Sequence, residues 1–395
     1  MPVSDKMKGY STRSSMIRKM FEEGSRMKAE FGKENVFDFS LGNPDVPPPP
    51  EFYTILRNMA ADTTPGIHAY MPNAGYPQVR EVIAARISEE QDISVEAGDT
   101  LMTCGAAGAL NVVLKALLNP EEEVILLAPY FVEYNFYVDN HGGVSKVIST
   151  DEEFNLDLGA IEKAISAKTR AIMINSPNNP TGQIYSQESL AALGKILEQA
   201  SARFGKAIVI IADEPYRKIV FDDQKVPSIF KAYNNSIVLS SYSKELSLPG
   251  ERIGFIAVHP DMSDKGLLLD AMALAIRILG FVNAPALMQR VVTHLKGVSV
   301  DNSIYARRRE TFCTLLREAG YSFMPPKGAF YIFPKSPIAD DVQFCGLLQE
   351  EKILAVPGAG FGLPGYFRLA FCTDEKYIKA AAAGFARAML KARTL

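Results

Sequence analysis

Five short runs of predominantly apolar residues restrict the folds that this chain can adopt. They are separated by stretches with helical periodicity and span residues 100–103, 124–128, 170–175, 208–212 and 236–241. None of them alternates regularly between apolar and polar residues, so each is typical of a strand that is buried on both faces. Strands of this kind, alternating with helices, predict an α/β fold with a mostly parallel sheet flanked by helices.

A length of 395 residues predicts two domains. A stiff run of four prolines ends an N-terminal segment of residues 1–46, whose helical stretch SSMIRKMFEEGSRMKAEF we expect to pack with the smaller domain. The strand–helix alternation then defines a large domain over residues 47–286. It is followed by a long helical pattern at 287–316, the segments GAFYIF and YFRLAF and a closing helix. This second pattern predicts a smaller α+β domain over residues 287–395.

The charge balance excludes several classes of protein. With 42 Lys and Arg against 45 Asp and Glu, the net charge is −3, and nucleic-acid binders or polybasic membrane-surface proteins need a basic surface instead. No apolar run reaches the ~18 residues of a membrane span, and the opening MPVSDKMKGY is too polar for a signal peptide. Four scattered cysteines without paired spacing argue against a metal site and for a reducing compartment. We therefore expect a cytoplasmic enzyme that binds no metal, nucleic acid or membrane.

Small and polar residues follow the predicted strands, at the ends where open parallel sheets bind ligands. Residues 105–108 (GAAG) open a helix, and free N–H groups at a helix N-terminus bind anions such as phosphate. Phe131 can cover a planar ring, Asn179 lies in a turn with exposed amides, and Asp213 directly follows an apolar strand. Taken singly, these features also fit a glycine-rich turn, an aromatic side chain under a loop, a polar loop and a helix cap.

Lys244 indicates that these features belong to one ligand-binding site. It follows a predicted buried strand, has hydroxyl residues beside it and precedes a Pro-Gly turn, which is an unusual place for a solvent-exposed charge. Desolvation lowers the proton affinity of an amine and makes it a nucleophile towards carbonyl groups. A lysine of this kind, a phosphate cradle, a ring-covering aromatic, a carboxylate and a phenol together meet the needs of pyridoxal phosphate.

Five motifs extend over nearly the whole chain in a specific order and spacing: SLGNPD, NNPTG, ADEPY, SYSKELSLPGERIG and YFRLAF. They resemble the motifs of the class I pyridoxal-phosphate-dependent aminotransferases of fold type I, the family that is similar to aspartate aminotransferase. The resemblance implies a large cofactor-binding domain and a smaller α+β domain formed by the N- and C-terminal segments. It also implies pyridoxal 5′-phosphate as the cofactor.

The same resemblance implies roles for individual residues around the cofactor. Lys244 would carry it as an internal aldimine, and Asp213 would pair with the pyridinium nitrogen. Tyr216 and Asn179 would bond the ring 3-oxygen. Phe131 would stack on the ring, where related sequences often carry Trp or Tyr; stacking survives this change, and a polar contact from the side chain does not. The phosphate would be held by Ser241, Arg252 and the amides of Ala106 and Ala107.

The resemblance also extends to the substrate and to a second subunit. Gly42, Asn179 and Arg368 would clamp the substrate carboxylate. Tyr70, in HAYMPNAGY, would reach the phosphate in a neighbouring subunit, which implies a homodimer with shared active sites. Without the motifs, Arg368 is equally well explained as a salt-bridge partner and Tyr70 as a core or loop aromatic.

The predicted activity is amino transfer between an L-amino acid and a 2-oxo acid in ping-pong half-reactions, with Lys244, Asp213 and Tyr216 as the catalytic residues. One alternative is β-elimination at a C–S bond on the same cofactor site. Another is a regulatory module that kept the fold, but such regulators usually carry an added DNA-binding segment, for which this chain has neither the length nor the basic face. The side chain of the substrate stays open, with acidic, aromatic and aliphatic amino acids all compatible with the motifs.

Overall fold

The computed structural model describes residues 2–12 and 16–394. The strands are β1 (Phe37–Asp38), β2 (Thr100–Thr103), β3 (Glu123–Ala128), β4 (Val144–Ser149), β5 (Thr169–Asn175), β6 (Val209–Asp213), β7 (Ser236–Ser241), β8 (Gly254–Val258), β9 (Tyr331–Ile332), β10 (Ile353–Leu354), β11 (Val356–Pro357) and β12 (Phe367–Ala370). The helices are α1 (Asp5–Thr12), α2 (Met16–Phe31), α3 (Pro50–Ala60), α4 (Pro77–Gln91), α5 (Gly105–Leu117), α6 (Glu133–Asn140), α7 (Leu158–Ala164), α8 (Gln187–Phe204), α9 (Lys265–Ile278), α10 (Ala286–Thr293), α11 (Asn302–Glu318), α12 (Asp341–Glu350), α13 (Glu375–Ala380) and α14 (Ala382–Ala392).

A seven-stranded sheet with the order β2-β8-β7-β6-β5-β3-β4 forms the centre of the large domain. Strands β3, β4, β5, β6 and β7 pair in parallel, and β8 is antiparallel to both β7 and β2. The mostly parallel sheet predicted from the apolar runs is therefore confirmed, and those runs are β2, β3, β5, β6 and β7. The sequence pattern missed β4, because Val144 and Val147 of this edge strand are exposed and its apolar run is broken.

Successive residues of the central strands point to opposite faces of the sheet and pack alternately in two apolar cores, one on each face. In β6, Ile210 and Ala212 pack in the core that also contains residues of α4, α8 and α10. Val209 and Ile211 pack in the other core, with residues of α5, α6 and α9. Every residue of β6 is buried, which explains why its sequence is apolar up to its last residue, Asp213.

The small domain is built on the antiparallel sheet β11-β12-β9 and the parallel pair β1-β10. The N-terminal segment joins it through β1 and through Asp45, which accepts two hydrogen bonds from Arg308 of α11 at 2.6 and 3.0 Å. Helix α1 contacts the large domain instead, since Lys6 forms an ion pair with Asp139 of α6 at 3.0 Å. The helix expected from SSMIRKMFEEGSRMKAEF is α2, and its two leading serines lie outside the described residues.

The long helical pattern predicted over residues 287–316 is two helices, α10 and α11. Gly297 adopts a left-handed φ of 78° between them, and the side chain of Asp301 caps α11 by accepting from the amide of Ser303. The apolar side chains of α10 pack in the core of the seven-stranded sheet, whereas Val300 packs in the core of the small domain. The domain limits 1–46, 47–286 and 287–395 stay predictions.

Residues 2–12 and 16–394, which the structure describes, contain neither a membrane-spanning helix nor a cluster of metal-ligating side chains. None of the helices in this part of the chain is long and apolar enough to cross a bilayer. The same residues contain no group of three or more His, Cys, Asp and Glu side chains arranged to hold a metal ion. The four cysteines are free thiols.

Candidate active site

A cavity of about 270 Å³ lies at the carboxyl ends of β5, β6 and β7. Because these strands are parallel, the polar residues that follow them meet at one edge of the sheet. Of the residues predicted to form the site, the cavity is lined by Gly42, Ala106, Ala107, Phe131, Asn179, Asp213, Tyr216, Ser241, Lys244, Arg252 and Arg368. The remaining predicted residue, Tyr70, lies elsewhere: its side chain is 88% exposed on the loop that precedes α4.

Lys244 follows β7 and directs its amine into this cavity. Its Nζ donates a hydrogen bond to the carbonyl oxygen of Gly42 at 2.7 Å. Desolvation lowers the pKa of the amine from 10.5 to about 8, the nearby thiol of Cys372 opposes this shift, and the guanidinium of Arg368 adds to it. An amine with this pKa is partly unprotonated near neutral pH, which is the form that attacks a carbonyl carbon.

Asp213 is the last residue of β6 and has one oxygen without a partner. Its Oδ2 accepts a hydrogen bond from the hydroxyl of Tyr134 at 2.7 Å. Its Oδ1 is buried and makes no hydrogen bond within the described parts of the chain. Burial raises the pKa of this carboxyl from 3.8 to about 6, and the Tyr134 bond opposes the rise. A buried carboxylate with a free oxygen beside a cavity fits a cationic N–H donor on a ligand.

The sequence analysis missed Tyr134. It lies one turn after Phe131 on the segment that enters α6, and the two rings are in edge contact with centroids 5.6 Å apart. Phe131 also packs against the core formed by α5 and α6. The spacing of the two aromatics was visible in the sequence, but the contact from Tyr134 to Asp213 depends on how α6 crosses the sheet.

An anion cradle is formed where β2 turns into α5. Gly105 adopts a left-handed φ of 72°, and a Cβ on it would come within 2.8 Å of a guanidinium nitrogen of Arg252. A glycine is therefore needed at position 105, so that the backbone and the Arg252 guanidinium can lie this close together. Ala106 and Ala107 follow in the first turn of α5, whose free N–H groups and dipole attract anions.

Two serines and Arg252 complete this cradle from the other side. Ser241 ends β7 and donates a hydrogen bond to the hydroxyl of Ser243 at 3.1 Å. Arg252 is held by the carbonyl of Pro249 at 2.8 Å. The sequence analysis did not single out Ser243, although it lies in the same motif and lines the cavity.

A chain of amide hydrogen bonds links Asp213 to Arg368. Asn175 ends β5, donates to the backbone oxygen of Asp213 at 2.8 Å and accepts from the backbone N–H of Asn179 at 2.7 Å. The side-chain oxygen of Asn179 in turn accepts from Arg368 at 3.0 Å. This chain fixes Asn179 between the buried carboxylate and the guanidinium.

Arg368 lies on β12 and is 2% exposed. Its two terminal nitrogens donate to Asn179 and to the carbonyl of Ser40, and its Nε has no partner among the described residues. Its guanidinium also lies over two aromatic rings, with Cζ 4.6 Å from the centroid of Tyr331 and 4.8 Å from that of Phe361. A guanidinium has five N–H donors, so three of them are left to bind a carboxylate.

Below the cavity, a buried ion-pair network holds the residues that follow Asp213 and Lys244. Arg86 of α4 donates to both oxygens of Glu245 at 2.5 and 2.8 Å and to Glu90 at 3.0 Å. Arg217 donates to Glu214 at 2.8 Å and lies 3.8 Å from Glu90. The network connects the turns that follow Asp213 and Lys244 to α4. The sequence analysis did not identify it.

A nucleophilic lysine, a buried carboxylate and an anion cradle in one cavity define an enzyme that binds a phosphorylated carbonyl cofactor. The family described as aminotransferase class I and II matches residues 34–385, so the chain belongs to this family. It is a pyridoxal-phosphate-dependent aminotransferase, as its sequence motifs predicted.

Relatives and solved structures agree with this assignment. The chain is 31% identical to a probable aspartate aminotransferase of Methanocaldococcus jannaschii, covering 87% of this chain and 91% of the relative. It is 31% identical to an aspartate aminotransferase of Thermotoga maritima, covering 91% and 93%. An aminotransferase structure from Eubacterium rectale superposes with a TM-score of 0.95 at 39% identity, covering 99% of each chain. The aspartate aminotransferase of Thermus thermophilus with maleate superposes with a TM-score of 0.87 at 26% identity, covering 98% and 100%.

Proposed function

We propose that this enzyme moves an amino group between an L-amino acid and a 2-oxo acid, with pyridoxal phosphate attached to Lys244. The observation that carries the proposal is that the Lys244 amine shares one cavity with Oδ1 of Asp213, an oxygen with no hydrogen-bond partner among the described residues. An amine and a carboxylate in this arrangement match the aldehyde and the ring nitrogen of that cofactor. The relatives named aspartate aminotransferase support the same class of reaction.

The remaining residues of the cavity fit the rest of the cofactor. Its phosphate fits the cradle of Ser241, Arg252 and the first turn of α5. Tyr216 and Asn179 are proposed to bond the ring 3-oxygen, and Phe131 to cover the ring face. When bound, pyridoxal phosphate supplies a protonated pyridine ring that withdraws electrons from the substrate Cα.

We assign the proton transfer to Lys244 and the electrostatic support of the ring nitrogen to Asp213. The Asp213 carboxylate keeps the ring nitrogen protonated, because a negative charge beside a cation favours the charged form, and Tyr134 orients that carboxylate. With the cofactor and a substrate bound, the free Lys244 amine would take the proton from the substrate Cα and deliver it on the cofactor side. Its pKa of about 8 suits both directions of transfer near neutral pH. Arg368, Asn179 and the backbone at Gly42 bind the carboxylate and orient the Cα–H bond towards Lys244.

Purified protein is expected to be yellow and to carry its cofactor on Lys244. Borohydride treatment should fix the cofactor covalently, and peptide mapping should find the label on this residue. The Lys244→Ala variant serves as the control and should retain no label. A label on a different lysine would contradict the assignment.

A half-reaction experiment separates amino transfer from β-elimination. With an L-amino acid as the only substrate, amino transfer converts the bound cofactor to its amine form and releases one 2-oxo acid. Elimination at a C–S bond instead releases pyruvate, ammonia and a thiol, and leaves the cofactor spectrum unchanged after turnover. A panel of acidic, aromatic and aliphatic donors, beginning with aspartate, then identifies the side-chain class.

We also propose a cytoplasmic homodimer in which each subunit contributes to the other's site. The free thiols are typical of a reducing compartment, and two-fold pairs are common among soluble enzymes. Tyr70 supports the shared site, because its exposed ring lies outside the cavity of its own chain.

Mixing two inactive variants tests the shared site. If Tyr70→Phe and Lys244→Ala are each strongly impaired, their heterodimers should regain activity, because one of the two sites is then free of both changes. Sedimentation at the assay concentration should show a dimer. A fully active monomer, or mixed variants that exchange subunits without regaining activity, would refute the shared site.

A further inference from the structure

We propose that Tyr331 is a positioning residue that fixes the position of the Tyr216 hydroxyl and the orientation of the Arg368 guanidinium. The first group faces the cofactor and the second faces the substrate carboxylate, so a single side chain sets the geometry of both. This inference rests on the function proposed above. It assigns a role to a residue that the sequence motifs did not single out.

The contact with Tyr216 is a direct hydrogen bond. The two hydroxyl oxygens are 2.8 Å apart, and the rings are in edge contact with centroids 5.7 Å apart at 81°. Tyr331 is 2% exposed and Tyr216 is 4% exposed, so water does not compete for this bond. Tyr331 belongs to β9 of the small domain and Tyr216 follows β6 of the large domain, so the bond also joins the two domains at the cavity.

The contact with Arg368 follows from strand pairing. Tyr331 of β9 lies opposite Ala370 of β12, and Arg368 is two residues away from Ala370 on the same face of that strand. This places the guanidinium over the phenol ring, with Cζ 4.6 Å from the ring centroid. A buried cation over an aromatic face is held by the ring quadrupole, so the ring restricts the orientation of Arg368.

The hydroxyl of Tyr331 is fixed from a third direction by the segment at Gly42. A Cβ on Gly42 would lie 1.9 Å from that hydroxyl oxygen, so only glycine leaves room for it. The carbonyl of Gly42 accepts the hydrogen bond from Lys244. The Tyr331 hydroxyl is therefore enclosed between Tyr216 and the backbone that holds the Lys244 amine.

The direction of the hydrogen bond between Tyr331 and Tyr216 determines its effect on the Tyr216 hydroxyl. A hydroxyl has one proton to donate. If the Tyr216 hydroxyl donates a hydrogen bond to the cofactor 3-oxygen, the hydrogen bond between the two phenols must run from Tyr331 to the Tyr216 oxygen. A hydroxyl that accepts such a bond becomes a stronger donor itself. The other ionisable groups around the Tyr216 phenol are Arg368, Cys372, Tyr134 and Lys244.

The test uses Tyr331→Phe in the cofactor-loaded enzyme, since this change removes the hydroxyl and keeps the ring. The quantity to measure is the pH midpoint of the visible absorbance change of the bound cofactor. Without the Tyr331 hydroxyl, Tyr216 is a weaker hydrogen-bond donor to the cofactor 3-oxygen, so that oxygen carries more negative charge. This charge stabilises the proton on the neighbouring nitrogen that joins Lys244 to the cofactor. The pH midpoint should therefore rise. One hydrogen bond corresponds to a rise of roughly half a unit to one unit. The kcat should fall about 2- to 10-fold, with little change in KM because the ring still supports Arg368.

Further variants make this test more specific. Tyr321→Phe is the matched control, because Tyr321 is a buried tyrosine of the same domain whose hydroxyl donates to the carbonyl of Phe385 at 2.9 Å, away from the cavity. It should leave the midpoint unchanged. Tyr331→Leu removes the ring as well and should raise KM for donors of every side-chain class by similar factors. In a Tyr216→Phe background, Tyr331→Phe should add no further shift.

The possible failures are distinguishable. A midpoint in Tyr331→Phe that equals the wild-type midpoint overturns the inference, and so does an equal shift in Tyr321→Phe. Either result leaves the proposed function intact, because the wild-type enzyme still carries its cofactor and transfers amino groups. A wild-type protein that binds no cofactor at Lys244 overturns the proposed function, and the inference with it.

Discussion

Replacing Asp213 with Asn is expected to lower turnover by about two to three orders of magnitude while weakening cofactor binding only moderately. The change keeps the shape of the side chain and its hydrogen bond from Tyr134, but it removes the negative charge. An adjacent carboxylate shifts the pKa of a cationic partner by about 1–3 units, so without it the ring nitrogen is largely unprotonated. The measurements are kcat with a saturating donor and the cofactor dissociation constant.

The stability of the cofactor-free protein gives an independent test of Asp213. Burial raises the pKa of this carboxyl to about 6 in the folded chain, so the folded state binds more protons than the unfolded state between about pH 4 and 6. The contribution of Asp213 to stability is therefore lost as the pH rises through this window. A rise of about two units corresponds to about 3 kcal/mol. Asp213→Asn should remove this loss, so its free energy of unfolding should fall less between pH 4 and 7 than that of the wild type.

Near-normal turnover with full cofactor occupancy in Asp213→Asn would mean that the residue only supports the local backbone. Tyr134→Phe is a useful companion variant, because it keeps the charge of Asp213 and removes only the hydrogen bond. It should impair turnover far less than the loss of the charge does.

Sequence reasoning located the core of the fold because its signals are local. Strands β5, β6 and β7 lie inside the sheet, so each contains a continuous apolar run, and polar residues end these runs at Asn175, Asp213 and Ser240. Strand β4 lies at the edge of the sheet and carries no such signal. Helices α10 and α11 appeared as one pattern, because the residues between them contain no proline and only one glycine, Gly297.

The parts of the site that sequence reasoning missed depend on contacts between distant segments. Tyr331 meets Tyr216 across 115 residues, and Arg86 meets Glu245 across 159 residues. Nothing in the immediate sequence of Tyr331 distinguishes it from an ordinary core aromatic, whereas Tyr216 was predicted from the motif ADEPY. The resemblance to a family placed Lys244, Asp213 and Arg368, because their motifs are short and specific. It did not identify Tyr134 and Tyr331, which contact Asp213 and Arg368.

Arg368→Lys is expected to lower kcat/KM by ~10²-fold or more for every amino donor and every 2-oxo acid acceptor. Each substrate carries the same carboxylate, which a guanidinium can bind through two parallel N–H groups and an ammonium cannot. Each charge-assisted hydrogen bond is worth roughly 1.5–3 kcal/mol, so loss of the pair accounts for this factor. Lysine also cannot replace the bonds to Asn179 and Ser40 or the stacking on Tyr331.

The pattern of the loss identifies the role of Arg368. Because the clamp orients the Cα–H bond towards Lys244, part of the loss should appear in kcat as well as in KM. The visible spectrum of the resting enzyme should stay nearly unchanged, since none of the proposed cofactor contacts is made by Arg368 and the phosphate cradle is formed by other residues. A variant that lost only one side-chain class of substrate would place Arg368 in the specificity pocket. A variant that lost the cofactor would make it a phosphate-binding or structural residue, and the carboxylate would then have to be bound by other groups of the cavity.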